Sequence, residues 1–265
     1  MGDGVGLQAK SDLTSCCRWL EQLKTAADTH KVALLATTTP PATRGDLELC
    51  RCLCQPVGMV NTTARAKRRY DMAAPRWGDK MRTLGYYEGY LGFLSSPHRH
   101  TDRNVHVVDV GAGTASFAEA WVAINGPPRA LTLLEPSRPM LERGQTALRA
   151  RGVEPKLVQA LLGEADLEPV DEVLAAHVIE HCADPLTALR QIHDLLRPGG
   201  RLHLVVSKPH WCNAIIWLQW RHRTFRKEEI LALVSKAGFD VEQVYSFPSG
   251  PPSRTSCGIV AIRRG

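Results

Sequence analysis

The sequence predicts an α/β protein: a doubly wound sheet of seven strands, mostly parallel, with helices on both faces and an antiparallel last strand. Three observations lead there. From residue 105 onward, short apolar runs of strand length alternate with amphipathic stretches of helix length, the rhythm of βαβ crossovers. The first run passes directly into a tight Gly111-Ala112-Gly113 turn. The last two runs are joined by Pro248-Ser249-Gly250-Pro251-Pro252-Ser253, turn formers read as a link without a helix, so that pair must be antiparallel.

Strands are expected at 105–110, 131–134, 156–160, 171–176 and 202–207, then near 241–247 and 258–263. Between them the spacing of apolar residues predicts helices at about 115–123, 138–150, 185–196 and 226–237. The helix from 185 is the best marked. Asp184 is a good N-cap, Pro185 suits the first helical position, and Leu186, Leu189, Ile192, Leu195 and Leu196 form one stripe before Pro198-Gly199-Gly200 stops it. Gly152 and Gly238 close the helices before them. Ahead of this unit, residues 59–104 are read as a helical cover. In it, Tyr70 to Trp77 precede a helix that carries Met81, Leu84, Tyr87 and Leu91. Residues 1–58 show little periodicity and a Thr37-Thr38-Thr39-Pro40-Pro41 breaker, so they are read as a poorly structured tail. Met59-Val60-Asn61-Thr62 resembles an ordinary protein start, which raises the expectation of a misassigned initiation site upstream.

Of 265 residues, 44% are hydrophobic and 23% charged, and 33 Lys and Arg face 27 Asp and Glu for a net charge of +6. This is ordinary globular composition, and the excess falls short of a nucleic-acid signature, so no DNA partner is expected. No apolar run reaches the roughly 20 residues of a spanning helix, and roughly the first 30 residues lack a secretory pattern, so a cytoplasmic location is expected. The eight cysteines fit free thiols in a reducing compartment. The spacing of Cys50-Arg51-Cys52-Leu53-Cys54 is not that of paired zinc ligands, and no metal site is expected.

The most informative stretch runs from Val107 to Ser116, where a buried-strand pattern enters a Gly-x-Gly turn at the mouth of a helix. Without Cβ atoms, Gly111 and Gly113 let backbone approach a nucleoside or amino-acid moiety, and the helix start presents N–H groups to a carboxylate. Glu135 ends the next strand, 22 residues after Gly113, where an acid can accept from both ribose hydroxyls. A dinucleotide fingerprint would carry Gly or Ala where Ser116 stands.

Four motifs in order resemble those of the class I S-adenosylmethionine-dependent methyltransferases, of the type 11 group that includes ubiquinone- and menaquinone-biosynthesis enzymes. They are Asp109-Val110-Gly111-Ala112-Gly113, Leu134-Glu135-Pro136, the stretch from Asp171 to His181, and that from Leu195 to Leu202. The resemblance covers roughly Tyr70 to Arg263. It implies a Rossmann-like fold with a reversed seventh strand, methyltransferase activity, and S-adenosyl-L-methionine as cofactor. By the same resemblance, Asp109, Gly111, Ala112, Gly113, Glu135 and Pro136 hold the cofactor, His177 lines its sulfonium side, and Tyr70 closes the site. Ala115 stands at the family's third glycine, and Glu164 or a backbone group is expected on the adenine amine.

His177 and His181 follow the fourth strand at the carboxyl edge of the sheet, and either is a candidate catalytic base. The expected acceptor is a small molecule, lipophilic or quinone-like. The segment 211–227, rich in Trp and basic residues, reads as an acceptor wall, as an element in peripheral contact with a membrane, or as core with a solvated face. An RNA or protein acceptor is the alternative, supported by Arg65-Ala66-Lys67-Arg68-Arg69. A non-catalytic protein that binds S-adenosylmethionine is the third reading. Oligomeric state is left open.

Overall fold

The structure is a computed structural model that describes residues 62–95, 104–210 and 223–265, with side chains from residue 71 onward except at Ala73. The expected tail at 1–58, the cysteine run, the side chains of residues 65–69 and the tryptophans of 211–222 lie outside the described residues.

Each expected strand forms. They are β1 His106–Val110, β2 Ala130–Leu134, β3 Lys156–Val158, β4 Val170–Ala176, β5 Leu196–Ser207, β6 Phe239–Tyr245 and β7 Ser256–Arg263. All seven join one sheet in the order β3-β2-β1-β4-β5-β7-β6, and β7 runs antiparallel to both neighbours. The helices are α1 Thr62–Thr83, α2 Tyr86–Leu94, α3 Ser116–Asn125, α4 Arg138–Arg149, α5 Pro185–Leu195, α6 Lys227–Lys236 and α7 Gly250–Thr255.

Because successive strand residues point to opposite faces, register sorts the core into two layers. Val107, Leu131, Leu133, Leu174 and Val205 pack with residues of α2, α3 and α4. Val108, Val110, Val173, Leu202 and Leu204 pack with residues of α5 and α6. The parallel strands β1, β2, β4 and β5 end at one edge, and antiparallel β7 begins there, paired as Ser207 with Ser256. The glycine turn, Glu135, His177, Ser207 and Ser256 therefore lie along a single edge.

Four details differ from the sequence expectation. The stretch from Tyr70 to Trp77 is itself part of α1, with Pro75 inside the helix, and the cover is two helices broken at Gly85, whose φ is 76°. The link between β6 and β7 contains the short helix α7, because its prolines carry a preset helical φ and Thr255 Oγ1 donates to the Pro251 carbonyl at 2.9 Å. Strand β5 starts at Leu196 rather than 202, since Arg197 to Gly200 are taken up in a register shift opposite β4, with Gly199 at φ 76°. β3 ends at Val158, two residues short of expectation. The Asp184 cap forms as expected, accepting from the N–H groups of Leu186 and Thr187.

One buried carboxylate fastens the cover to the sheet domain. Glu119 on α3 accepts from Arg82 Nη2 at 2.7 Å and from Arg151 Nε at 3.0 Å. Tyr87 lies with them: the Arg82 guanidinium is 4.1 Å from its ring centroid, and Arg151 donates to its hydroxyl at 2.6 Å. Glu119→Ala leaves the two guanidinium groups without their carboxylate. Breaking a buried pair costs about 3–5 kcal/mol, and the partial exposure of both arginines lowers the expected loss to about 2 kcal/mol. Urea unfolding measures it, and a loss below about 0.5 kcal/mol would mean that aromatic packing alone holds the cover.

Candidate functional site

The end of β2 grips the glycine turn. The Leu134 carbonyl accepts from the N–H groups of Gly111 at 2.7 Å and Ala112 at 3.2 Å. Glu135 continues the series, its Oε2 accepting from the Gly113 N–H at 3.1 Å and its Oε1 from the Ser137 N–H at 2.9 Å. The turn needs this hold because Gly111, Gly113 and Ala115 all have left-handed φ, at 62°, 53° and 62°. For Ala115 that conformation costs roughly 1–2 kcal/mol. Its buried methyl fits because Gly144 on α4 has no side chain: a Cβ there would stand 3.0 Å from that methyl.

Helix α1 covers this turn. Ser137 Oγ donates to Asp71 on α1, and a Cβ built on Gly113 would meet Trp77 Nε1 at 3.8 Å, an ordinary contact. Tyr70 precedes Asp71 on α1, and its side chain lies outside the described residues. Pro136 follows Glu135, and its carbonyl accepts from Gln159 at 3.3 Å. Glu164, exposed, turns back onto its own loop and accepts from the Leu161 N–H at 3.2 Å.

Within the chain itself, Gly111 is also required on steric grounds. A Cβ there would stand 2.6 Å from Val178 Cγ2, in the chain's own loop after β4. Gly111→Ala is expected to cost about 2 kcal/mol through that overlap and the left-handed φ, and Val178→Ala in the same chain to recover about 1 kcal/mol. A double-mutant cycle by urea unfolding reads the coupling. Additive losses would mean that Val178 is not the obstacle.

Asp109 on β1 is buried beneath the turn and accepts from the Ala118 N–H at 3.2 Å. Burial pushes its carboxyl up to about 8, the Ala118 hydrogen bond opposes this, and the Glu135 charge adds to it. Between the ordinary carboxyl range and about 8, the folded chain holds a proton that the unfolded chain has lost. Stability from this group therefore falls as pH rises through that window, and the penalty is complete above it. Asp109→Asn keeps an acceptor for Ala118 and removes the ionisation. The variant is expected to match the wild type near about pH 4 and to exceed it in stability near about pH 9, as urea titrations across that range would report. A wild type no less stable than the variant at the upper end would show that Asp109 is not held neutral.

The two candidate histidines part company. His177, at the end of β4, is half-buried, with Nδ1 3.1 Å from Glu180 Oε1. His181 is exposed on the short 3₁₀ turn Ile179–His181. Sequence adjacency pairs Glu180 with His181, whereas the structure sets Glu180 against His177, which precedes the turn. Ser207 and Ser256, which flank the His177 ring, were not legible as site residues, because they are brought there by β5 and by the reversed β7. Of the segment 211–227, the described part contributes Phe225 to the core and an Arg223–Glu229 ion pair at 3.1 Å. Among the described residues, no helix is long and apolar enough to cross a membrane, and no three His, Cys, Asp or Glu side chains group as metal ligands.

A Gly-x-Gly turn held by an acid at the end of β2, in a 3-2-1-4-5-7-6 sheet, defines a class I methyltransferase fold. Residues 108–202 match the family model described as a methyltransferase domain. The chain is 33% identical over 112 residues to the ubiquinone/menaquinone biosynthesis C-methyltransferase of Rubrivivax gelatinosus, covering 40% of this chain and 41% of that one. It is 30% identical over 115 residues to the tRNA 5-carboxymethoxyuridine methyltransferase of Escherichia coli K12, covering 41% and 42%. The matched stretch thus spans about two fifths of these curated relatives. In fold, the chain is similar to the Burkholderia thailandensis 1,6-didemethyltoxoflavin-N1-methyltransferase, solved with 1,6-didemethyltoxoflavin and S-adenosylhomocysteine. The TM-score is 0.62 at 18% identity, over 80% of this chain and 93% of that one.

Proposed function

We propose that the chain is an S-adenosylmethionine-dependent methyltransferase that methylates a small, lipophilic or quinone-like molecule, with residues 59–104 as cover and 105–265 as the catalytic domain. The observation that carries this reading is the Glu135 carboxylate at the glycine turn, bonded to the N–H groups of Gly113 and Ser137. The donor set fits the cofactor. A carboxylate accepts about four hydrogen bonds, so Glu135 can keep both backbone partners and receive ribose hydroxyls. Gly113 offers backbone without a Cβ, and Asp109 stands beneath the turn.

In this reading Asp109, Gly111, Ala112, Gly113, Glu135 and Pro136 hold the cofactor, with His177 and Tyr70 flanking it. When bound, the cofactor supplies an electrophilic methyl group on a sulfonium. The chain's own part is to hold the acceptor in line, exclude water beneath α1, and take up the acceptor's proton where it has one. His177 is the base in this reading; the exposure of His181 speaks against it. The quinone-like acceptor draws support from the Rubrivivax relative. An RNA acceptor is the second reading, favoured by the tRNA-modifying relative and the basic run 65–69 within α1. Salt-dependent RNA binding would promote it.

Titration calorimetry with S-adenosylmethionine, S-adenosylhomocysteine and NAD tests the proposal. The first two are expected to bind, and Glu135→Ala to weaken both by about 1–3 kcal/mol, about 5- to 150-fold, through lost hydrogen bonds to a charged group. Binding of NAD alone would overturn the reading, and undiminished affinity in the variant would remove Glu135 from the site.

A further inference from the structure

His177 has a φ of 57°, a left-handed conformation that few non-glycine residues adopt and that persists only where the surroundings hold it. Its N–H donates to the Val205 carbonyl at 2.8 Å, and its ring is engaged on both sides. Nδ1 lies 3.1 Å from both Glu180 Oε1 and Ser207 Oγ. Nε2 faces Ser256 Oγ at 3.4 Å. Glu180 Oε1 is pinned in turn by the Ser207 N–H at 2.6 Å, while its buried Oε2 has no hydrogen-bond partner among the described residues. Beyond Ser256 the hydroxyls continue: Thr255 Oγ1 stands 3.3 Å from Ser256 Oγ and 2.9 Å from the Tyr86 hydroxyl. The Tyr86 ring stands edge-on to His177, centroids 5.6 Å apart.

Burial alone would raise the Glu180 carboxyl, but the hydrogen bond and charge of His177 hold it below the usual carboxylate range. An ionised carboxylate only accepts, so the hydrogen between the two groups belongs to Nδ1, and the lone pair of the neutral ring is on Nε2. That atom faces a row of hydroxyls that both donate and accept, a setting suited to a polar O–H group.

We propose that Glu180 is a positioning residue that fixes His177 as the Nδ1–H tautomer, making Nε2 the base for an acceptor of the phenol class. The inference rests on the methyltransferase reading above. In the step, the acceptor oxygen bonds the methyl carbon as the carbon–sulfur bond breaks, and that bond's electron pair stays on sulfur. The acceptor's proton goes to Nε2, the resulting imidazolium is paired with Glu180, and water takes the proton after product leaves.

The test is ¹⁵N-histidine NMR of the full chain, with His177→Asn for assignment, joined to methyl-transfer kinetics. Neutral His177 is expected to carry its hydrogen on Nδ1 in the wild type, to lose that preference in Glu180→Ala, and to regain it in Glu180→Gln, whose amide oxygen still accepts. Ser207→Ala keeps the preference. An Nε2–H wild type overturns the proposal even if the Ala variant fails to fold, and so does a tautomer that follows Ser207 instead of Glu180. With tritiated S-adenosylmethionine, hydroquinone is the expected acceptor and p-phenylenediamine is not. Glu180→Ala is expected to lower kcat about tenfold or more at a KM within about twofold, and Gln to restore part of it. Transfer to the diamine alone, or to neither probe by a chain that binds S-adenosylmethionine, overturns the phenol assignment. A wild type that does not bind S-adenosylmethionine overturns the methyltransferase reading instead, and the tautomer is then decided by the NMR alone.

Discussion

Three consecutive amides of the glycine turn, those of Gly111, Ala112 and Gly113, are bonded to the last carbonyl of β2 and to the carboxylate just beyond it. Much else in the site follows from this attachment. It holds the alternating left-handed residues that swing the chain from β1 into α3, and so brings the Ala118 N–H over Asp109. It also fixes Glu135 at the turn, which makes that side chain part of the backbone scaffold at the carboxyl edge of the sheet. The turn's amides are thus committed to protein acceptors, and an incoming anion would meet the helix start and the cover instead of an open nest.

The cover is tied to the same place by independent means. Ser137, next but one to Glu135, bonds Asp71 on α1, while Glu119 binds Arg82 from α1 and Arg151 from the turn after α4. Both contacts are polar, and they add to the apolar packing of α2 against α3 and the sheet. Solvent competes for such contacts at their exposed ends, so they fasten α1 less firmly than burial fastens α2.

The sheet was legible in the sequence because its strands are short apolar runs punctuated by strong signals, such as Asp184-Pro185 at a helix start and Gly238 at a helix end. What could not be read depended on partners distant in the chain or on local geometry that periodicity does not see. Met81, Leu84, Tyr87 and Leu91 keep helical spacing across a break that only the left-handed Gly85 reveals. Prolines 251 and 252 read as turn formers, yet the same preset φ starts a helix. The identity of Gly111 was legible, but what crowds it was not, since Val178 reaches it from the loop after another strand. The acidic partner of His177 lay three residues away, brought back to it by the left-handed φ at His177 and the 3₁₀ turn that follows, neither of which periodicity shows.

The molecule contains the same pair of residue types twice, and their positions separate the roles. Glu172 on β4 and His203 on β5 meet at 2.9 Å, with Trp121 of α3 also donating to Glu172 at 2.8 Å and Phe93 edge-on to the imidazole. That group is walled in between sheet and helices, with both side chains buried, so no ligand can approach it. Glu180 and His177 stand at the carboxyl edge, where strands end, the imidazole is partly open, and the hydroxyls of Ser256, Thr255 and Tyr86 border it. A buried carboxylate beside an imidazole is therefore not in itself a catalytic device in this fold. At the edge, the reversal of β7 brings Ser256 opposite Ser207 and sets its hydroxyl against the second ring nitrogen of a partly open imidazole, a placement that the walled-in pair lacks.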